Sequence, residues 1–360
     1  MIVAFSLMVH KADDERVAHQ EATALRAKGD IVHIFSTYLM QDKSRSERCQ
    51  WLQTHLEQCC PDVIICDTPI SVTVARKAKK KIEKSNRKIT KVLYDITEWY
   101  PSKKNLRGYG VLMRMVRFFA LAFLHVKASF LSDAFLLGEY YKALPCKFLF
   151  PRKKKLLLSY YATIGNVKRY PAKKSLRKSC SFYYSGNLTE EKGFFRVVDV
   201  AKKVAEKRPD TGFCLNVVSS GRIDAREEMP SNLRISYHDW MPFDTFCETI
   251  GENDLFFDLR DDDIENTHCL PIKMFYYMAA GRPMIYSDLK AIRWGVPEFE
   301  EMGVAVKPME MEHSVDAVLR YLDDDELYQK HCRNALRLSD EKYNWERIEV
   351  SFVNFIHYGI

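Results

Sequence analysis

The chain has 360 residues, 47% of them hydrophobic and 12% aromatic, with a net charge of +7. That length admits two cored domains, and that composition excludes a disordered chain. No apolar run is long enough to span a bilayer. The first nine residues lack the charged n-region and small-residue cleavage site of a secretion signal, so a cytoplasmic protein is expected. The ten cysteines contain no C-x-x-C pair and read as reduced, mostly buried thiols rather than a metal site. Residues 1–180 carry 34 Lys and Arg against 15 Asp and Glu, whereas residues 181–360 carry 21 against 33. Two halves of opposite sign predict two domains with different partners.

In the first half, apolar runs at 1–9, 30–36, 62–67, 91–96 and 134–138 predict buried parallel strands. Amphipathic stretches lie between them, notably 14–28 with Val17, Glu21, Leu25 and Lys28 at helical intervals. Such alternation predicts a doubly wound α/β sheet with ligands beyond the carboxyl ends of its strands. Residues 76–91 hold nine basic residues and one acid, Glu83, and read as a solvated helix face. Residues 107–131 mix Arg107, Arg114, Arg117 and Lys127 with Phe118, Phe119, Phe123 and Phe130. That segment is too charged to cross a membrane; it fits a helix lying on one or a core helix with solvated ends. Residues 151–178 are basic and without regular pattern, an interdomain connection.

The second half repeats the alternation. Strands are predicted at 181–185, 212–219, 233–238, 254–259, 283–287 and 304–307, and helices at 194–207, 244–251, 271–280, 314–323, 325–339 and 345–358. The expected domains are 1–165, 166–340 and a last helix in 341–360 that packs back on the first domain. The two sheets are expected to face each other across a cleft.

Two stretches carry candidate chemistry. Ser185 to Gly193 follows a strand and precedes a helix; Gly186 permits close approach and Lys192 sets an ammonium at the helix start, the makings of a phosphate site. The second stretch runs from Leu270 to Asp288. Pro271 suits a first helical turn, Met274, Phe275, Met278 and Ala279 form one face, and Lys273, Tyr276 and Tyr277 form another. Gly281 and Pro283 end the helix before a short strand. Asp258, Arg260 and Asp261 to Asp263 follow the strand at 254–259, a solvated loop or a sugar-reading one. Glu98 follows the strand at 91–96, and His10 and Lys11 follow the first strand.

These residues resemble family 4 glycosyltransferases, which have the GT-B fold of two Rossmann-like domains. Gly186-Asn-Leu-Thr-Glu-Glu-Lys-Gly193 is similar to the family's G-[RN]-L-x-x-E-K-G turn. Pro271-Ile-Lys-Met-Phe-Tyr-Tyr-Met-Ala-Ala-Gly-Arg-Pro283 resembles P-x-K-x-F-E-Y-M-A-A-G-x-P. Glu341-Lys-Tyr-Asn-Trp-Glu346 resembles the opening of the family's last helix. Asp14-Glu-Arg-Val17 with Glu21-Ala22, and Tyr94-Asp-Ile-Thr-Glu-Trp-Tyr-Pro101, resemble its amino-terminal motifs. The five matches run in family order from end to end.

The resemblance implies transfer of a sugar, with retention, from a nucleoside diphosphate donor to an acceptor hydroxyl, without metal or other cofactor. The second domain would hold the nucleotide sugar through Gly186, Asn187, Lys192, Leu270, Pro271, Ile272, Lys273 and Tyr276. The first would hold a lipid-linked or glycan acceptor near His10, Lys11, Arg16 and Thr97. Glu98 and Lys192 are the candidate catalytic residues. Envelope polysaccharide assembly at the inner face of an anionic membrane is the expected setting, and no nucleic-acid recognition pattern is present.

Four departures stand out. Tyr276 replaces the carboxylate expected on the donor ribose, Asn187 replaces a diphosphate-binding Arg, Thr97 replaces a His, and 8–13 lack the usual glycines. They leave two rival readings open: a GT-B-fold scaffold that no longer binds donor, or a sugar-nucleotide epimerase.

Overall fold

A strand covered on both faces needs apolar residues at every position, and that rule shapes both halves of this chain. The structure is a computed structural model; it describes every residue except Arg87, Trp99 and 224–228, and leaves out the side chains of Asn86 and Lys104. Trp99 of the 94–101 motif and Arg87 of the basic run therefore lie outside the described residues. The chain forms two units, Met1–Tyr160 with Ile348–Ile360, and Tyr161–Arg347.

The first unit contains strands β1 (Ile2–Leu7), β2 (Ile31–Ser36), β3 (Val63–Cys66), β4 (Lys91–Ile96), β5 (Ala134–Leu137) and β6 (Lys154–Leu157). All pair in parallel, in the order β2-β1-β3-β4-β5-β6. Its helices are α1 (Ala22–Ala27), α2 (Arg45–Cys59), α3 (Pro69–Asn86), α4 (Lys103–Leu106), α5 (Val111–Leu131) and α6 (Tyr140–Leu149). A turn of π-helix, Glu15–Glu21, precedes α1. The Ser44–Glu47 capping box starts α2 and satisfies two backbone donors reciprocally. On α3, Val72, Ala75, Ala78 and Ile82 are buried at helical spacing.

The basic run on α3 differs from the solvated face expected of it. Lys79 is buried and bonds Asp133 at 2.9 Å, with Arg76 3.7 Å from the same carboxylate; Lys81 pairs with Glu57 and Lys88 with Asp62. Partners so distant in sequence cannot be read from a charge run. Residues 151–178 also differ: they include β6, an edge strand whose lysines mask its apolar alternation.

The second unit contains β7 (Ser179–Ser185), β8 (Gly212–Val218), β9 (Leu233–His238), β10 (Leu255–Asp258), β11 (Met284–Ser287) and β12 (Gly303–Val306). They too pair in parallel, in the order β12-β11-β10-β7-β8-β9. Its helices are α7 (Phe194–Lys207), α8 (Phe243–Thr249), α9 (Ile264–Thr267), α10 (Lys273–Ala279), α11 (Lys290–Gly295), α12 (Met311–Asp323) and α13 (Asp325–Glu341). The boundary between the units falls inside α14 (Trp345–Asn354). On α7, Phe194, Val197, Val200, Ala201 and Val204 form the buried stripe. It packs into a core with Phe182, Phe213, Leu215, Phe257 and Ile285.

The helix predicted at 271–280 is shorter than expected. Pro271 and Ile272 precede it, although the Pro271 carbonyl accepts from Met274 N–H at 3.2 Å. Nor is it two-faced: Met274 through Ala279 are all buried. A helix apolar all round is a core helix. Gly281, at φ +71°, ends it in the left-handed region.

Candidate functional site

In an open parallel sheet, the chain leaves its first strands in opposite directions at one point, and loops diverge there to form a crevice. The second sheet has that point between β7 and β10. The Ser185–Gly193 turn leaves β7 there, and the loop from Leu259 leaves β10. Gly186 takes φ +141° while its N–H bonds Val218 O at 3.1 Å. Gly193 takes φ +76°, and an added Cβ would fall 1.8 Å from Leu259 O, so only glycine lets the two loops touch. Asn266 ties them further: its amide donates to Glu191 O at 3.0 Å and Asp263 Oδ2 at 2.9 Å, and it accepts from Lys192 Nζ at 2.9 Å.

Asp258 ends β10 with its side chain fully buried, its Oδ1 2.8 Å from Lys273 Nζ and its Oδ2 accepting from Arg260 Nε at 2.9 Å. Burial alone would raise its pKa, but Arg260 and then Lys273 hold it below the usual carboxylate range. Burial lowers the Lys273 pKa against the pull of Asp258, and Arg260 and Lys192 add to the lowering. Lys273 therefore lies close to two other cations and a single carboxylate. It also donates to Ser185 O at 3.3 Å and lies 5.1 Å from the Tyr184 ring centroid. Arg260 donates Nη1–H to Cys269 O at 3.0 Å, while its buried Nη2 has no hydrogen-bond partner among the described residues. Arg260 and Lys273 share Asp258, and Lys192, held by Asn266, is a third cation acting on Lys273; clustered cations of this kind suit an anion.

Of the residues expected on the donor side, the structure gathers Gly186, Lys192 and Lys273 at this crossover. Asn187 is exposed there, and its backbone carbonyl accepts from Tyr184 OH at 2.7 Å. Leu270 is buried, and Ile272, beyond Pro271, is 43% exposed. Tyr276 departs from expectation: it is 1% exposed, its ring edge-on to Phe243 and Phe246 at 5.9 and 5.4 Å. Its neighbour Tyr277 stacks on Phe256 at 4.2 Å and shares a hydrogen bond with Ser185 Oγ at 3.1 Å. Asn266 escaped the sequence reading, because an asparagine in an acidic loop carries no pattern.

The first sheet reverses between β1 and β3. His10 follows β1, and Asp67 follows β3. The Asp67 carboxylate accepts from the Met8, Val9 and His10 N–H groups, from Ser71 Oγ, and from His10 Nδ1 at 3.1 Å. Burial would lower the His10 pKa, but the Asp67 hydrogen bond and charge, with Asp14 and Asp95, raise it to about 9. Arg16 is buried between Glu21, 2.8 Å away, and Asp95, 3.0 Å away, and lies 5.0 Å from the Tyr160 ring centroid. One guanidinium cannot offset two buried carboxylates; burial raises both, and Glu21 reaches about 8. Arg16 is thus a structural cation among its partners. Thr97 lends its carbonyl to Lys142 Nζ at 2.5 Å and Tyr160 OH at 3.3 Å, and Lys142 also pairs with buried Glu139. Lys11 is exposed, 5.7 Å from the Tyr38 ring centroid, and Glu98 is half-buried on the loop after β4. Among the described residues no group of His, Cys, Asp and Glu could hold a metal ion.

No protein-family model and no curated protein matches the chain. Among solved structures it is similar to the sucrose-phosphate synthase of Thermosynechococcus elongatus, at TM-score 0.70 and 13% identity over 99% of this chain and 98% of that one. It is similar to WaaG, a glycosyltransferase involved in lipopolysaccharide biosynthesis, at TM-score 0.69 and 13% identity over the full length of both. Anabaena HepE in complex with UDP-glucose gives 0.66 and 12% over 99% of each chain. At such identities the likeness shows the fold, and the fold is GT-B, as the motif resemblance implied.

Proposed function

We propose that this chain is a glycosyltransferase that moves a sugar from a nucleoside diphosphate sugar to an acceptor hydroxyl with retention. The observation that carries the reading is the pairing of Arg260 and Lys273 with buried Asp258 at the crossover of the second sheet, with Lys192 a further cation near Lys273. In the reaction, the bond from the sugar's anomeric carbon to the diphosphate breaks, and a bond from that carbon to the acceptor oxygen forms. The acceptor proton leaves with the products. Charge builds on the departing diphosphate, and fixed cations stabilise it without reorganisation, which is the role of Lys192 and Lys273 and needs no metal. Gly186 and Asn187 line the same loop, and residues 270–273 bring the chain into α10 beside it. The binding of UDP-glucose by the similarly folded HepE supports a nucleotide sugar as donor. Glu98 and Thr97, with His10 and Lys11, stand on the acceptor side in the first unit.

A thermal-shift and hydrolysis panel of nucleoside diphosphates and their sugars tests this. Stabilisation by at least one of them is expected, and Lys192→Ala should remove it; an unmoved melting point with every member sinks the enzyme. The packing of Tyr276 between Phe243 and Phe246 and the exposed Asn187 favour one alternative, a GT-B-fold scaffold without donor binding, which predicts that second result.

The acceptor we assign is a lipid-linked or glycan precursor of the cell envelope, met at the inner face of the membrane. Helix α5 supports this: Val111, Leu112, Phe119, Phe123 and Phe130 are each more than 60% exposed. Arg114, Arg117 and Lys127 lie among them, and mixed aromatic and cationic surface suits anionic lipid. Among the described residues no helix is long and apolar enough to cross a membrane.

A further inference from the structure

We infer that Asp258 is the resident counter-ion of Lys273: it keeps that ammonium charged and in place until a diphosphate arrives, and then yields it to the ligand. The inference deepens the donor reading above, on which it rests, by giving the buried carboxylate among the cations a task.

Asp258 is the last residue of β10 and Lys273 the first of α10, so the pair forms where those elements meet at the crossover of the second sheet. The two side chains are not equally enclosed: Asp258 is fully buried, whereas Lys273 is 19% exposed. A ligand can therefore reach the ammonium but not the carboxylate. Although Nζ lies 2.8 Å from Oδ1, that oxygen has no well-directed hydrogen bond among the described residues. The ammonium donates instead to Ser185 O at 3.3 Å, and an ammonium has three N–H groups to give. The contact with Asp258 is thus one of charge, and donors remain for an incoming oxygen. Arg260 pins the other carboxylate oxygen, Nε to Oδ2 at 2.9 Å, so Asp258 stays behind when Lys273 turns outward.

What the carboxylate does follows from the charges that face the lysine. Arg260 faces it from the loop after β10 and Lys192 from the turn before α7, and with burial both push the ammonium towards a neutral amine. The Tyr184 ring faces it from β7 at 5.1 Å; Tyr277 of α10 and Arg196 of α7 bear on the same group through Asp258 and Tyr184. Asp258 opposes the two cations. Without it the lysine would meet a diphosphate uncharged, and binding would first have to supply a proton. A diphosphate carries more negative charge than one carboxylate, so it displaces Asp258 as the lysine's partner, and a singly charged anion has no such advantage. Asp258 touches no ligand and is a positioning residue.

The test is calorimetric titration of the full-length protein with UDP, ADP, GDP and, separately, inorganic pyrophosphate at pH values from about 7 to 9. The wild type should bind at least one of them with an affinity that varies by less than about twofold over that range. In Asp258→Asn the affinity should fall by about tenfold between the two ends, the loss of protonated lysine one unit above a lowered pKa. Asp258→Ala should do the same, so one poorly folded variant does not decide the matter. Lys273→Arg in the Asp258→Asn background should restore a flat profile, because a guanidinium keeps its charge throughout; a merely structural role for Asp258 would leave the loss unrescued. Profiles of both Asp258 variants parallel to the wild type, a wild type that itself loses affinity as steeply, or no rescue by arginine overturns the inference. Pyrophosphate binding with the expected profiles, and no nucleoside diphosphate binding, would instead count against the donor reading alone. Binding of neither overturns both.

Discussion

His10 carries a charge that folding creates conditions for, and that has a consequence for stability. Its pKa rises from the ordinary 6.5 to about 9 on folding. A raised folded-state value means that the proton is bound more tightly in the native state. The stabilisation is complete below pH 6.5 and fades as pH climbs through 9. Discounted for the 26% of the side chain that water reaches, the contribution is roughly 2 kcal/mol. Thermal melts of the wild type should therefore fall between pH 6.5 and 9 more steeply than those of His10→Gln; parallel pH profiles would show that Asp67 does not hold the charge. Glu21, raised to about 8 by burial against the pull of Arg16, also binds its proton more tightly when folded, so it adds a fall in stability between pH 4.5 and 8. At this scale the sequence disclosed residue types more readily than roles. Lys192 was legible because a lysine after a strand–glycine turn has a place to go. The partner of Lys273, Asp258, could not be read from the sequence, because it lies on β10 and approaches only once β10 and α10 pack. Tyr276 was read from its alignment with a family carboxylate, and its burial against Phe243 and Phe246 could not be read from that alignment.

Gly193 decides how α7 meets the loop after β10. Replacing it with alanine would force a left-handed backbone on a residue that resists it and drive a methyl into Leu259 O. The two effects together should cost at least ~2 kcal/mol. Chemical denaturation of Gly193→Ala measures this, and nucleotide stabilisation should weaken with it, because Asn266 and Lys192 lose their common frame. Helix α5 gives the opposite kind of prediction. Its exposed rings contribute little to the folded unit, so Phe119→Glu with Phe123→Glu should leave the melting point nearly unchanged. Flotation on anionic liposomes at low salt should disappear in that variant; retained flotation removes α5 from the reading, and none by the wild type removes the membrane. Strong apolar runs made the central strands legible, and β4, β9 and α7 fall where periodicity put them. Elements defined by contact rather than pattern were not: β6 hides under lysines, α9 is four residues long, and the π-turn before α1 has no signature in its residues.

The charge asymmetry of the two halves is legible as a total but not as a surface. Several cations of 76–91 are already spent: Arg76 and Lys79 on Asp133, Lys81 on Glu57 and Lys88 on Asp62. Lys153 likewise satisfies the carbonyls of Ser129, Phe130 and Ser132 at the end of α5, where a cation also complements the helix dipole. Exposed cations remain on α3, Lys77 and Lys80 among them, as well as on α5. The same strand-order reversal appears in both sheets, and each gathers a charged cluster: cations around one carboxylate in the second unit, carboxylates around two cations in the first. Two copies of one architecture have been given opposite local polarity.

The chain leaves the first unit at Tyr160 and re-enters it at Ile348, where His357 bonds Asp30 at 2.7 Å, a residue that also holds the amino terminus. Because residues 161–347 lie between the two parts of the first unit, the second unit is synthesised before the segment 348–360 that the first still lacks. The unit whose first strand is made earliest is thus the last to close. Its assembly depends on a contact spanning almost the whole polypeptide, the kind of long loop closure that slows folding. During that delay the first sheet has all six of its strands but lacks the helical segment 348–360 that completes its unit.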